Sequence, residues 1–169
     1  MGTMSHESSP EPRLTQGLRL LLARQRVAAL ATLDAEGRPF ASMVPFALDR
    51  DTGHLVIHVS GLAPHTANLL RTPQVSVLIM QSEVVGEPVH ALPRVSLEGV
   101  ATALAPQEAA WDSGRAAYLA RFPEAEPMTQ LGDFRFVGIT IHAARQVAGF
   151  GAARTLDAAD LQQVLRSPA

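Results

Sequence analysis

The segment Ser60-Gly61-Leu62-Ala63-Pro64-His65-Thr66-Ala67-Asn68 carries the residue types best able to do chemistry. A strand-like run ends at Ser60, a short loop follows, and Pro64 suits the first turn of a helix. A helix start offers unpaired N–H groups and a partial positive charge, which together attract anions. Ser60, His65 and Thr66 add side-chain donors, so the segment is able to cradle a phosphate. The same residues also make an ordinary capped helix whose His65 only packs. Any phosphate would be held without lysine, because all 14 basic residues are arginine. The absence of lysine excludes a Schiff base on a side-chain amine and a Walker A loop. The absence of cysteine excludes disulfides, thiolate catalysis and cysteine-rich zinc sites.

Other candidates are weaker. His54 and His58 share a strand face, but four residues at about 3.3 Å each set them about 13 Å apart, too far to chelate one ion. No metal site is expected. His90 and His142 read as structural or solvated, and His6 lies in the N-terminal tail. Ser42, Ser60 and Ser76 lack a His-Asp partner pattern, and no G-x-S-x-G elbow is present. Asp133 and Glu98 read as turn or surface residues. Trp111 and Tyr118 are seven apart and mark the packed stripe of a helix. No catalytic residue is assigned. That lack suits a protein whose cofactor carries the reaction.

The elements that must position these groups follow from periodicity. Residues 13–26 repeat leucines at helical spacing. Strand-like runs cover 27–33, 38–48, 54–59, 74–81, 93–104, 134–142 and 145–149. Pro45 puts the second at an edge, bulge or kink. Past Gly99 the apolar residues of the fifth change parity, which predicts a bulge there. Helices are expected over 64–70, 106–122 and from the Thr155-Leu156-Asp157 cap to about 166. Residues 82–92 form a loop, a candidate gate. The fold class is mainly β with peripheral helices, and short antiparallel strands favour a barrel. Residues 1–12 read as a disordered tail and 13–169 as one domain. A net charge of −2 offers no basic field for nucleic acid. No apolar run reaches the roughly 18 residues of a membrane span, and the tail is no signal peptide. The expected location is the cytoplasm.

One resemblance joins these pieces. The pattern His65-Thr66-x-Asn68-Leu69 followed by Pro73-x-Val75-Ser76 resembles the haem-utilisation-like branch of the pyridoxamine 5'-phosphate oxidase superfamily. So do Ala31-Thr32-Leu33, Gly37-Arg38-Pro39, Ala41-Ser42-Met43-Val44-Pro45, Arg94-Val95-x-Leu97-x-Gly99 and Gly149-Phe150-Gly151. The resemblance implies a six-stranded antiparallel split barrel, forming a homodimer with FMN between the subunits. By that likeness Ser42, Met43 and Val44 lie along the flavin, partly through backbone groups. Ser60, His65, Thr66 and Asn68 lie near its phosphate, and Gln81 reaches the ring edge across the dimer. The implied function is an FMN-dependent oxidoreductase acting on a small molecule. Alternatives are a haem-binding protein, with His65, His90 or His142 as ligand, and a non-catalytic flavin or deazaflavin binder. The oxidase's arginine on the second strand is replaced by Ala41, and its arginine-lysine pair by Gly61-Leu62. Pyridoxamine phosphate oxidation is therefore not expected. Nothing after His142 is histidine, which removes the C-terminal haem ligand of larger members of the branch.

Overall fold

The computed structural model describes residues 12–167. All but Pro12 of the expected tail lies outside them. Helix α1, Arg13–Arg24, buries Leu18, Leu21 and Leu22, one stripe at helical spacing. Strand β1, Val27–Leu33, alternates strictly, with Ala28, Leu30 and Thr32 turned inward. Then follow β2 (Pro39–Pro45), β3 (Ala47–Asp49), β4 (His54–Ser60), α2 (Pro64–Arg71) and β5 (Gln74–Met80). The second half contains β6 (Arg94–Ala103), α3 (Ala109–Arg121), β7 (Phe134–Val147), β8 (Ala153–Leu156) and α4 (Ala158–Arg166). Asp157 caps α4 by accepting the Asp160 N–H at 2.9 Å.

All described strand pairs are antiparallel, in the order β2-β1-β5-β6-β7-β4-β3, with β8 beside β7. The two ends of this path, β2 and β3, are separated in sequence by Phe46 alone. The sheet must therefore curl until its edges nearly meet. Pro45 has no N–H for a ladder, so the expected single strand over 38–48 divides at this point and the barrel stays split. Phe46, fully buried, donates its N–H to the Arg26 carbonyl and pins the seam.

Leu30, Ile57, Val77, Leu97 and Ile139 fill the barrel from every side, and α1 and α4 close it with Leu22, Leu161 and Leu165. A second cluster lies outside the barrel wall, where α3 sets Tyr118 and Phe122 against Ala47, Val56 and Phe136. β4 is thus covered on both faces, which is why Leu55 to Val59 are all buried rather than alternating. Trp111 stands edge-on to Phe136, with ring centroids 6.0 Å apart, in the packing role expected for it.

The structure departs from the sequence reading in three further places. The β6–β7 register does shift between Glu98 and Gly99, but the extra residue belongs to β7: Glu98 pairs with Ala143 and Gly99 with Ile141, leaving His142 over. β6 itself keeps its parity, with Val95, Leu97, Gly99 and Ala101 all buried. A Cβ on Gly99 would meet the Thr140 carbonyl oxygen at 2.6 Å, so backbone approach, not a change of face, explains this glycine. The runs 134–142 and 145–149 form one strand, because the bulge absorbs the mismatch without breaking the ladder. β8 was not anticipated. The eight strands are one more than the seven runs read from the sequence and two more than the resemblance implied. No helix among the described residues is long and apolar enough to cross a membrane.

Candidate functional site

The residues singled out in the sequence gather at two places. The first is the mouth formed where β4 hands over to α2. Ser60 Oγ donates to Asp133 Oδ2 at 2.9 Å and accepts the Leu62 N–H at 3.2 Å. The Gly61 N–H donates to the Asp133 carbonyl at 2.6 Å. Thr66, 1% exposed, donates its hydroxyl to the Ser60 carbonyl at 2.6 Å. Asn68, 6% exposed, donates to Thr32 Oγ1 at 3.0 Å and accepts from Arg71 Nη2 at 3.1 Å. These two side chains point into the protein and hold α2 to the sheet. No side chain caps the start of α2, so its attraction for anions rests on the backbone. His65, on the first turn, is half-buried, and burial holds its imidazole below the usual histidine range. Leu62, 88% exposed, projects beside it in sequence with no packing of its own.

The second place is a groove of about 470 Å³ along β1, β2 and β5. Ala29, Ala41, Met43, Leu78 and Met80 make its apolar wall. Gln25, Gln81 and Ser82 supply its polar groups, and Ser42 borders it with its side chain turned to the inner face beside its ladder partner Leu30. Ser42 Oγ is enclosed there without a hydrogen-bond partner. Gln25 and Gln81 also border an adjoining cavity of about 430 Å³ beneath α1. Val44 does not join either place through its side chain, which is 3% exposed in the barrel core.

The remaining histidines are dispersed. His54 Nε2 lies 3.2 Å from Thr140 Oγ1, and burial lowers its pKa, with the Asp49 charge opposing and Arg166 adding to that shift. His58 sits among Phe136, Phe134 and Tyr118, with ring centroids 4.4, 5.0 and 5.7 Å away, and burial lowers its pKa too. His142 is exposed on the bulge, in a shallow cleft with Thr32, Ser76 and Glu98. His90 is exposed in a 3₁₀ turn. Sequence reasoning passed over two site residues. Asp133 was read as a turn residue, yet the fold sets it against Ser60 across 73 positions. Gln25 is a polar residue between a helix and a strand, and only the cavities reveal its use.

A curled antiparallel barrel with a seam at a proline and a polar mouth at α2 invites comparison with known proteins. The family model described as pyridoxamine 5'-phosphate oxidase matches residues 14–148. The chain belongs to the pyridoxamine 5'-phosphate oxidase family. Within that family it is similar to haem proteins. It is 30% identical over 150 residues to the haem oxygenase HutZ of Vibrio cholerae, covering 88% of this chain and 84% of HutZ. It is 39% identical over 118 residues to the chloroplastic haem oxygenase HOZ of Arabidopsis thaliana, covering 70% of this chain but only 34% of HOZ. A haem-binding protein from Mycobacterium smegmatis superposes with a TM-score of 0.81 at 30% identity, covering 92% of this chain and 62% of that one. A crystal structure of HutZ, there described as a haem storage protein, matches at a TM-score of 0.69 and 28% identity, covering 76% of this chain and 89% of HutZ. The split barrel of the pyridoxamine 5'-phosphate oxidase family thus accounts for the seam, the mouth and the groove together.

Proposed function

We propose that this chain binds haem and serves in haem utilisation, in place of the FMN-dependent oxidoreductase first suggested by its motifs. The likeness to HutZ, which spans most of both chains, carries the reading. The site chemistry is compatible with it. The groove offers a mainly apolar wall for a flat macrocycle. An imidazole must be neutral to bind iron, and burial favours the neutral form of His65 at the mouth. His90 and His142 are exposed. Haem, when bound, would supply an iron centre able to take up dioxygen; the groove would hold the ring and His65 would offer it a neutral imidazole.

A homodimer is part of this reading. The outer face of β1, β2 and β5 exposes Val27, Met43 and Met80 at 47%, 65% and 49%, among alanines. Such a contiguous apolar face is suited to a second copy. A cytoplasmic location agrees with the cysteine-free composition.

FMN is the second reading, favoured by one observation: Ser42, Met43 and Gln81 line the same groove, as the resemblance implied for a flavin. Against it, Thr66 donates its hydroxyl to the Ser60 carbonyl, and the buried Asn68 amide bonds Thr32 and Arg71 rather than facing the start of α2 as a free donor pair.

The test is a visible titration of the purified protein with haem and, separately, with FMN, after removal of bound small molecules. A saturable Soret band that shifts or weakens in His65→Ala, but not in His90→Ala or His142→Ala, is expected. No Soret band, with flavin retained through desalting, would replace haem by FMN. Adding a reductant and oxygen to the haem complex separates the two roles described for HutZ, since an oxygenase bleaches the band and a store keeps it. Light scattering at micromolar concentration checks the dimer.

A further inference from the structure

Away from the mouth and the groove, and sharing no lining residue with either, a cleft of about 310 Å³ opens between α1, β3 and α3. Ala23, Ala47, Ala117, Ala120 and Leu48 form its walls, and Arg50 and Arg121 provide its only charges. Neither arginine has a carboxylate partner among the described residues. Glu124 is paired with Arg26 at 3.0 Å.

Both guanidiniums are held in place by backbone. Arg121 Nη2 donates to the carbonyls of Leu22 at 3.2 Å, Ala23 at 3.1 Å and Gln25, where α1 ends. Its guanidinium carbon lies 5.2 Å from the Phe46 ring centroid. Arg50 Nη1 donates to the carbonyls of Leu165 and Ser167, where α4 ends. Each helix end returns only about half a negative charge. Burial, followed by the charges of Arg26 and Arg50, lowers the pKa of Arg121, so the crowding of cations costs free energy. Arg121 Nε is also buried without a partner.

We propose that this cleft is a binding site for a small oxyanion, a phosphate or carboxylate group gripped between Arg50 and Arg121. Guanidinium forks suit both groups, with fixed planar donors that match paired oxygens. The two forks are already oriented by the helix ends, so little side-chain entropy is lost on binding. The alanine walls leave the space open, and Leu48 gives the attached part of a ligand an apolar surface. An anion between the two arginines removes the repulsion that the empty cleft contains.

The experiment measures thermal unfolding of the full chain with inorganic phosphate or with acetate, sodium chloride holding ionic strength constant. Four proteins are compared: the unchanged chain, Arg50→Gln, Ala117→Glu and the control Arg38→Gln, whose guanidinium pairs with Asp34 and Glu36 on a distant turn. Arg50→Gln lowers the baseline Tm by loosening the end of α4, so the quantity read is the increment produced by the anion. Phosphate at about ten times its Kd raises Tm by about 3–6 °C in the unchanged chain and in Arg38→Gln. The increment disappears in Arg50→Gln and in Ala117→Glu, where a tethered carboxylate fills the cleft and raises the baseline instead. Acetate matching phosphate would identify a carboxylate-accepting site, and phosphate acting alone a phosphate site; either supports the proposal. Equal increments in all four proteins, or none in the unchanged chain, would overturn it. Haem titration of the same samples reads the other site, because the cleft shares no lining residue with the mouth or groove and meets them only through the Gln25 carbonyl.

Discussion

Thr66 and Asn68 at the mouth, and Ser42 beneath the groove, lie close along the β1–β2 ladder yet are used in opposite ways. Asn68 bonds Thr32, which pairs with Phe40, while Ser42 pairs with Leu30 two residues along the same strands. At the mouth the buried polar side chains satisfy one another and a carbonyl, so they stabilise the fold. Beneath the groove, on the inner face, a buried hydroxyl is left without a partner, so it contributes no hydrogen bond to the fold. Polar residues that look alike in a motif therefore divide into those the fold bonds and those it merely encloses.

The largest expected effect breaks the mouth. Asn68→Ala removes the bonds to Thr32 Oγ1 and Arg71 Nη2, leaves these groups only their long bonds to the Phe40 and Leu33 carbonyls, and opens a small void, at a loss of about 2–3 kcal/mol in urea unfolding. A loss below about 0.5 kcal/mol would mean that Asn68 is not structural and would return it to the ligand site. Thr66→Val keeps the shape and removes one bond to the Ser60 carbonyl, for a loss of about 1–2 kcal/mol by the same measurement.

The third prediction concerns pH. Burial lowers the pKa of His54, His58 and His65 in the folded chain. As pH falls through about 6.5 the unfolded chain takes up protons that the folded chain still refuses. Stability is therefore full above that pH and declines as pH falls below it, toward the folded values. Hydrogen bonds from Thr52 and Ser113 overcome the effect of burial on Asp49 and hold it below its usual value, so its contribution is lost only at more acid pH. Urea midpoints at pH 7.5 and 5.5 should differ in that direction, and His58→Phe should reduce the difference. Identical midpoints would show that none of the three histidines is held neutral by the fold.

The smallest effect sharpens the contrast. Ser42→Ala removes an unbonded hydroxyl and should leave stability unchanged within about 0.5 kcal/mol, or raise it slightly. A loss above about 1 kcal/mol would reveal a partner for that hydroxyl and erase the distinction between the two regions.

Much of this architecture was readable in advance where one face decided the pattern. β1 and β5 alternate because one side meets the core and the other does not. The Asp157 cap and the leucines of α1 follow local rules. The reading failed where two faces or two strands competed. Gly99 resembled a parity change in β6 because Val100 is apolar, but Val100 lies on the outer face and is 36% exposed, and the extra residue is on the neighbouring strand. The strand at 153–156 has no strong alternation of its own and forms because β7 offers an edge.

The amino-acid order by itself determined the helix and strand periods, the break at Pro45, and the motifs that mark the pyridoxamine 5'-phosphate oxidase family, since these depend on near neighbours and on residue type. Only the tertiary structure decided that Thr66 and Asn68 turn inward, that Asp133 meets Ser60, that Ser42 keeps a free hydroxyl, and that Arg50 and Arg121 converge. Each of those facts joins elements far apart in the chain or depends on which atoms remain unbonded after packing, and a local pattern carries neither.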